Sequence, residues 1–148
     1  MTVTTVDRPA TAVYRLTAPA IVTTPRVARE AVVAWLRAAG HGDALREDAR
    51  VLVSEVVTNA VVHTAAPRLT LEAEITDAGV RVRVWDGDQR GIPRPRQRCA
   101  DDDEESGRGL RLVEALSHTW GVTWTGGVEP AGKRVWFELR AAPRGAGT

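Results

Sequence analysis

Two stretches of alternating apolar residues on either side of a short turn constrain the fold of this chain more than any other feature. The apolar positions are Leu69, Leu71, Ala73 and Ile75 before the turn and Val80, Val82 and Val84 after it. A period of two places these side chains on one face of each strand, and the turn at residues 77–79 is short enough for an antiparallel hairpin. The pattern therefore predicts a sheet with one buried face.

Two segments before the hairpin have the apolar spacing of helices. Apolar residues recur at intervals of three and four over residues 25–39, and Gly40 is placed to end this first helix. Asp43 can cap a second helix, whose broad apolar stripe extends from Leu45 to Val61. Both segments predict helices with one apolar face.

The remaining elements complete an α+β pattern. A short edge strand is predicted at Ala12–Ala18, a third helix begins at Gly107, and two further strands lie near residues 119–125 and 133–140. Strands that follow one another through short turns favour an antiparallel or mixed sheet. We therefore predict an α+β two-layer sandwich with the three helices on one face of the sheet.

Length and patterning indicate one domain. A chain of 148 residues suits a single core, which we assign to residues 12–141, between a flexible arm at 1–11 and a flexible tail at 142–148. Residues 87–106 have no periodicity and carry prolines, four arginines and an acidic run. A loop of this length inside a compact domain is usually functional or mobile.

The composition excludes several classes of protein. A formal net charge of +1 argues against a dedicated nucleic-acid surface, and the single cysteine, Cys99, excludes an internal disulfide. No cysteine and histidine spacing matches a zinc site. The first residues do not read as a signal peptide, and no apolar run approaches the roughly 20 residues of a membrane span. We expect a cytoplasmic protein without membrane or direct nucleic-acid contacts.

Three polar side chains lie four residues apart on the second predicted helix, at Glu55, Asn59 and His63. This spacing puts them on one ridge beside the apolar stripe, where they can act on one ligand. A solvated helix face would have the same pattern, so the ridge alone does not define a site. His63 either borders such a site or finishes the helix.

Asp86 and a glycine-containing helix start add two candidate features. Asp86 ends an apolar strand and precedes Gly87, where a carboxylate can bind a ligand or cap a turn. Glycines between Ser106 and Leu110 let backbone N–H groups converge on an anion at a helix N-terminus. The chain has no G-x-x-x-x-G-K-[ST] loop and none of the H-R-D or D-F-G motifs of protein kinases.

In their order and context, these features resemble the GHKL (Bergerat-fold) ATPases, and among them the short anti-sigma-factor serine/threonine kinases. The segments that carry the resemblance are Leu52–His63, Val84–Gly87, Gly107–Val113, Trp120–Gly121 and Gly132–Leu139. The resemblance extends over nearly the whole span from Pro25 to Arg140. The resemblance implies ATP and Mg²⁺ as cofactors.

The resemblance also implies a role for each candidate residue. Glu55 would be the catalytic general base and Asn59 the side-chain ligand of Mg²⁺, while Asp86 would accept a hydrogen bond from the adenine amino group. Backbone amides would hold the phosphates, and residues 87–106 would close over them as a lid. The ATP-binding set implied in this way is Asn59, His63, Asp86, Asp88, Gly107, Arg108, Gly109 and Leu110.

Departures from the usual motifs leave two hypotheses open. Asp88 stands where members of this family often have glycine, and Glu105 stands where they often have arginine. Lys133 and Arg134 stand where a threonine is often found. The first hypothesis is a kinase that transfers the ATP γ-phosphate to a serine of an anti-anti-sigma (STAS-type) partner. The alternative is a non-catalytic, ATP-gated module that binds such a partner or a sigma factor. The oligomeric state stays open, with a homodimer as one option.

Overall fold

The computed structural model of the chain describes residues 11–63, 66–86, 111–124 and 133–143. Within these ranges the chain forms strands and helices in the order β, α, α, β, β, α, β, β. The bounds are Ala12–Pro19 (β1), Thr24–Ala38 (α1), Asp43–His63 (α2), Arg68–Thr76 (β2), Gly79–Asp86 (β3), 111–116 (α3), Thr119–Trp124 (β4) and Lys133–Arg140 (β5). This order agrees with the sequence prediction.

The strands form one antiparallel sheet with the order β1-β2-β3-β5-β4. β2 and β3 form the predicted hairpin, in which Leu71 pairs with Val84. Gly79 begins β3 with a φ of +147°, and a Cβ atom at this position would overlap the carbonyl oxygen of Leu139 on β5. Glycine therefore permits both the turn and the close approach of β5 to β3.

The alternation along the strands separates a buried face of the sheet from a polar one. Fully buried side chains on the buried face include those of Leu71, Val82 and Phe137, and they pack against α1 and α2. We call the opposite face the polar sheet face. It consists of Val13, Arg15 and Thr17 of β1; Thr70, Glu72 and Glu74 of β2; Arg81, Arg83 and Trp85 of β3; and Arg134, Trp136 and Glu138 of β5.

α1 and α2 lie side by side on the buried face of the sheet. Pro25 is in the first turn of α1, where its missing N–H leaves no hydrogen bond of the helix unmade. Just beyond the helix, Gly40 has a φ of +83° and the next amide, His41 N, donates to Leu36 O. This hydrogen bond satisfies a carbonyl at the end of the helix, as the position of Gly40 in the sequence predicts.

An aromatic pair joins the edge of the sheet to α1. The rings of Tyr14 on β1 and Trp35 on α1 stack with their centroids 4.9 Å apart and 7° between their planes. Because β1 is an edge strand with a neighbour on one side only, this contact helps to keep it on the sheet.

The predicted α+β two-layer sandwich is confirmed, and two apolar stripes differ in detail. On α3, Val113 is fully buried, but Leu112 and Leu116 are each 38% exposed. On α1, Val27 is 53% exposed and its neighbour Ala28 is buried instead. In both helices the apolar spacing predicts more buried residues than the structure has, because the sheet covers only one side of each helix.

Candidate functional site

The C-terminal half of α2 carries the predicted ridge of polar side chains. Because Glu55, Asn59 and His63 are four residues apart on one helix, their side chains follow one another along the same face. Glu55 and Asn59 are half-buried and His63 is exposed. The fully buried Val57 anchors this part of α2 in the core. The ridge therefore lies at the border between the core and solvent.

α2 packs against β3, and its start lies near the turn that leads into that strand. His41, just before α2, has its Nε2 atom 2.8 Å from the Thr76 carbonyl oxygen, beside the turn that leads into β3. Counted from the first residue of each element, Asn59 is about 24 Å along α2 and Asp86 about 23 Å along β3, at ~1.5 and ~3.3 Å per residue. Because α2 packs on β3 and both elements begin near the same turn, we expect Asn59 and Asp86 at a similar level toward the same end of the sheet.

Asp86 is the last residue of β3 and lies on the helix side of the sheet. It pairs with the buried Leu69 of β2 and shares its face with the buried Val84, whereas Trp85 lies on the polar sheet face. Asp86 is half-buried. A partly shielded carboxylate interacts with a ligand more strongly than one in bulk water, because the local dielectric constant is lower. Asp86 is thus suited to recognise a hydrogen-bond donor.

An open groove of about 320 Å³ lies between α1 and α2 beside the ridge. In the groove, Arg29 Nη1 of α1 donates to Ser54 Oγ of α2 at 3.5 Å, and the Glu55 carboxylate forms part of the wall. Arg50 also lines the groove, and it donates to Glu30 of α1 at 2.6 Å. No described residue donates a hydrogen bond to Glu55. Its carboxylate is therefore available to a molecule that enters the groove.

Several predicted site residues lie outside the described residues. These are Asp88, Gly107, Arg108, Gly109 and Leu110, together with the loop 87–106 that was expected to form a lid. Their roles stay predictions. The structure describes α3 from residue 111, where the buried Val113 joins the core.

Arg134, at a position where related motifs often have threonine, lies on the other side of the sheet from Asp86. It pairs with Trp85 of β3, and its guanidinium carbon is 5.0 Å from the centroid of the Trp85 ring. The positive charge of Arg134 therefore belongs to the polar sheet face. Arg134 itself therefore does not alter the helix side of the sheet.

The α1 wall of the groove was not predicted from the sequence. Arg29 belongs to no motif, and the signal that could have identified it is its place beside the buried Ala28, on the side of α1 that faces α2. A larger open depression of about 680 Å³ surrounds Asp77 and Glu138 at the other end of the sheet, and none of the predicted site residues lines it.

In the described part of the chain, no group of three or more histidine, cysteine, aspartate or glutamate side chains is placed to hold a metal ion. No helix in these ranges is both long enough and apolar enough to cross a membrane.

Comparison with known proteins gives one family and one informative fold. The model of the histidine kinase-like ATPase domain family matches residues 18–139. Among solved structures, that of the RsbU and RsbW domains of Rv1364c from Mycobacterium tuberculosis has a similar fold, with a TM-score of 0.64 and 23% sequence identity. The similarity covers 89% of this chain and 33% of that one, so this chain spans about a third of its length. A search of curated proteins finds no match.

Proposed function

Because the chain belongs to the histidine kinase-like ATPase family, we propose that it is an ATP-binding regulator of the anti-sigma-factor kinase type. ATP is held between α2 and the end of β3, and the acceptor of its γ-phosphoryl group is a serine of an anti-anti-sigma (STAS-type) partner. The observation that supports this proposal most directly is the position of Asp86 on the helix side of the sheet, at the end of the strand on which α2 packs.

The residues present fit an adenine nucleotide and a magnesium ion. In the proposed site, the half-buried Asp86 carboxylate accepts a hydrogen bond from the adenine amino group. Guanine would present an oxygen acceptor, and not an amino group, to the same carboxylate. A site whose acceptor binds an N–H group of the ligand strongly rejects a ligand that lacks this group. The amide oxygen of Asn59 is a hard ligand of the kind that Mg²⁺ prefers, and Mg²⁺ commonly uses few protein ligands.

Glu55 is the proton acceptor in this proposal. It lies one helical turn before Asn59, and its carboxylate lines the groove between α1 and α2. A serine side chain that enters this groove would be within reach of Glu55, which would take the hydroxyl proton during the transfer. ATP would supply the phosphoryl group and leave as ADP, and the family resemblance implies that backbone amides of residues 107–110 would hold its phosphates.

Calorimetric titration of ATP into the Asp86→Asn variant tests the nucleotide site. A hydrogen bond to a charged group contributes about 1.5–3 kcal/mol, so we expect ATP affinity to fall about 10- to 100-fold. Asp77→Asn is the matched control, because Asp77 is exposed at the opposite end of β3 and should leave ATP affinity unchanged. Native affinity in Asp86→Asn would show that the proposed adenine contact is wrong.

Incubation with labelled ATP, Mg²⁺ and a panel of STAS-type proteins tests the kinase activity. We expect the native chain to label a serine of one partner, and Glu55→Gln to bind ATP while losing the transfer. Glu74→Gln, which makes the same change on the opposite side of the sheet from the helices, should still transfer. Transfer at the native rate by Glu55→Gln would exclude Glu55 as the general base.

The second candidate function is an ATP-gated binding module without phosphoryl transfer. Asp88 and Glu105 favour it, because both place a carboxylate in segments where the related motifs approach the phosphates. This function predicts ATP binding that survives Glu55→Ala and a partner affinity that depends on ATP. Equal partner affinity with and without ATP, together with no labelled partner, would eliminate it.

A further inference from the structure

The polar sheet face carries charges and indole rings that the proposed ATP site does not use. Its side chains include four arginines, three glutamates and two tryptophans. Among the described elements, the helices pack on the opposite face of the sheet. Tryptophan and arginine are enriched in the central part of protein interfaces, so this composition is that of a docking surface rather than of an ordinary solvated sheet.

Most charges of the polar sheet face are already paired with one another. The Glu72 carboxylate accepts hydrogen bonds from Arg15 at 2.8 Å and from Arg83 at 3.0 Å. The hydrogen bond from Arg15 lowers the pKa of Glu72, against the opposing effect of burial, and Arg83 contributes in the same direction. Glu138 accepts from Arg81 at 2.8 Å. These glutamates are therefore engaged within the face.

Arg134 is the exception among these arginines. In the described structure no carboxylate lies within ion-pair distance of it, and its Nε atom is buried without a hydrogen-bond partner. Its guanidinium carbon lies 5.0 Å from the Trp85 ring centroid, and that of Arg15 lies 5.8 Å from the same centroid. Because Nε is buried, a carboxylate arriving from solvent would pair with the terminal amino groups of this guanidinium rather than with Nε.

The size of the face suits a protein. The four strands that carry the face, about 4.8 Å apart and about eight residues long at ~3.3 Å per residue, give a surface of about 500 Å². This is somewhat below the roughly 800 Å² per partner of a standard protein interface and much larger than a small ligand needs.

Other occupants fit the face less well. Guanidinium groups lie close to the Trp85 ring, where a nucleic-acid base would have to stack, and the three glutamates would repel phosphates. A second copy that met this face with its own polar sheet face would present the same Arg134 and the same engaged glutamates. Neither a nucleic acid nor this face of a second copy supplies a carboxylate that is free in the described structure.

We infer that the polar sheet face docks a second protein through an acidic side chain that pairs with Arg134 beside Trp85. The partner presents a carboxylate next to an apolar group: the carboxylate meets the guanidinium and the apolar group covers the indole. This surface goes beyond the proposed function, because it lies on the opposite side of the sheet from Asp86 and needs no nucleotide.

Titration of the full chain with a capped peptide of alternating glutamate and leucine, without nucleotide, tests the inference. A peptide with glutamine in place of glutamate is the uncharged control. We expect the acidic peptide to bind at least about tenfold more tightly than the glutamine peptide, and Arg134→Gln to remove about tenfold of that affinity. Arg37→Gln, the same change on exposed α1 surface, should bind like the native chain.

The indole N–H resonance of Trp85, assigned through its loss in Trp85→Phe, reports where the peptide binds. We expect this resonance to shift with the acidic peptide and not with the glutamine peptide. Arg134→Lys should bind with intermediate affinity, because lysine keeps the charge but not the planar fork. If Arg134→Gln does not fold, the inference is tested with the native chain alone, by comparing its affinity for the two peptides and the shift of its Trp85 resonance with each.

Four results would overturn the inference. They are no binding of the acidic peptide, equal binding of the two peptides, tighter binding of a single-stranded oligothymidylate than of the acidic peptide, or self-association of the native chain that Arg134→Gln abolishes. Because these measurements contain no ATP, their failure is distinguishable from failure of the ATP site.

Discussion

Alanine at Gly79 is predicted to destabilise the sheet at the point where β3 and β5 approach most closely. The φ of +147° is a conformation that side-chain-bearing residues rarely adopt, and strain of this kind amounts to about 1–3 kcal/mol. The added Cβ would overlap the Leu139 carbonyl oxygen and lie 3.0 Å from Arg140 Cα. Because these atoms are backbone, β5 itself must move, and overpacking typically adds about 1–3 kcal/mol.

The expected loss of unfolding free energy for Gly79→Ala is therefore about 4 kcal/mol, the middle of the summed range. For a domain of this size, this corresponds to a Tm lower by about 8–16 °C. Thermal melts followed by circular dichroism measure the change. In Gly42→Ala, the matched control, the new Cβ meets no atom within 4 Å, so its Tm should stay near the native value. A Tm for Gly79→Ala within about 2 °C of native would refute the reasoning.

Two further substitutions test the core and the polar sheet face. Phe137→Ala removes a fully buried ring and should lower the unfolding free energy, measured in urea, by about 3–5 kcal/mol. Leu112→Ala changes a side chain that is 38% exposed and should lower the unfolding free energy by less than about 1 kcal/mol. Equal losses in the two variants would contradict the assigned core. Glu72 has a folded pKa below the ordinary 4.5, so its contribution to stability is present above that value and is lost as pH falls through the folded pKa. The stability advantage of native over Glu72→Gln should accordingly shrink in acid melts, and an advantage that grows below pH 4.5 would contradict the Arg15 contact.

The hairpin was predictable from sequence because apolar residues that alternate with a period of two, on both sides of a short turn, are typical of two paired antiparallel strands with one buried face. Leu71 faces Val84 in the structure as the alternation requires. The pairing of β3 with β5 was not predictable in the same way, because residues as distant as Val82 and Phe137 are brought together only by the complete sheet. For the same reason the sequence did not reveal that Arg134 and Trp85 are cross-strand neighbours.

The ridge of the candidate site was predictable and its surroundings were not. Helical geometry alone aligns Glu55 with Asn59, and the structure keeps that alignment. The groove beside Glu55 depends on how α1 packs against α2, and one-dimensional spacing carries no information about that packing. Arg29 therefore entered the site only through the structure.

The end of β3 connects the two surfaces proposed for this protein. Asp86 and Trp85 are consecutive residues of one strand, so a single peptide bond separates a carboxylate on the helix side from an indole on the polar sheet face. A ligand that fixes Asp86 must also restrict the backbone that carries Trp85. The guanidinium of Arg134 lies against that indole, so the same restriction reaches the group proposed to hold an acidic partner. The two sites are therefore distinct in chemistry and in face, yet they share the one backbone segment through which nucleotide binding and docking could influence each other.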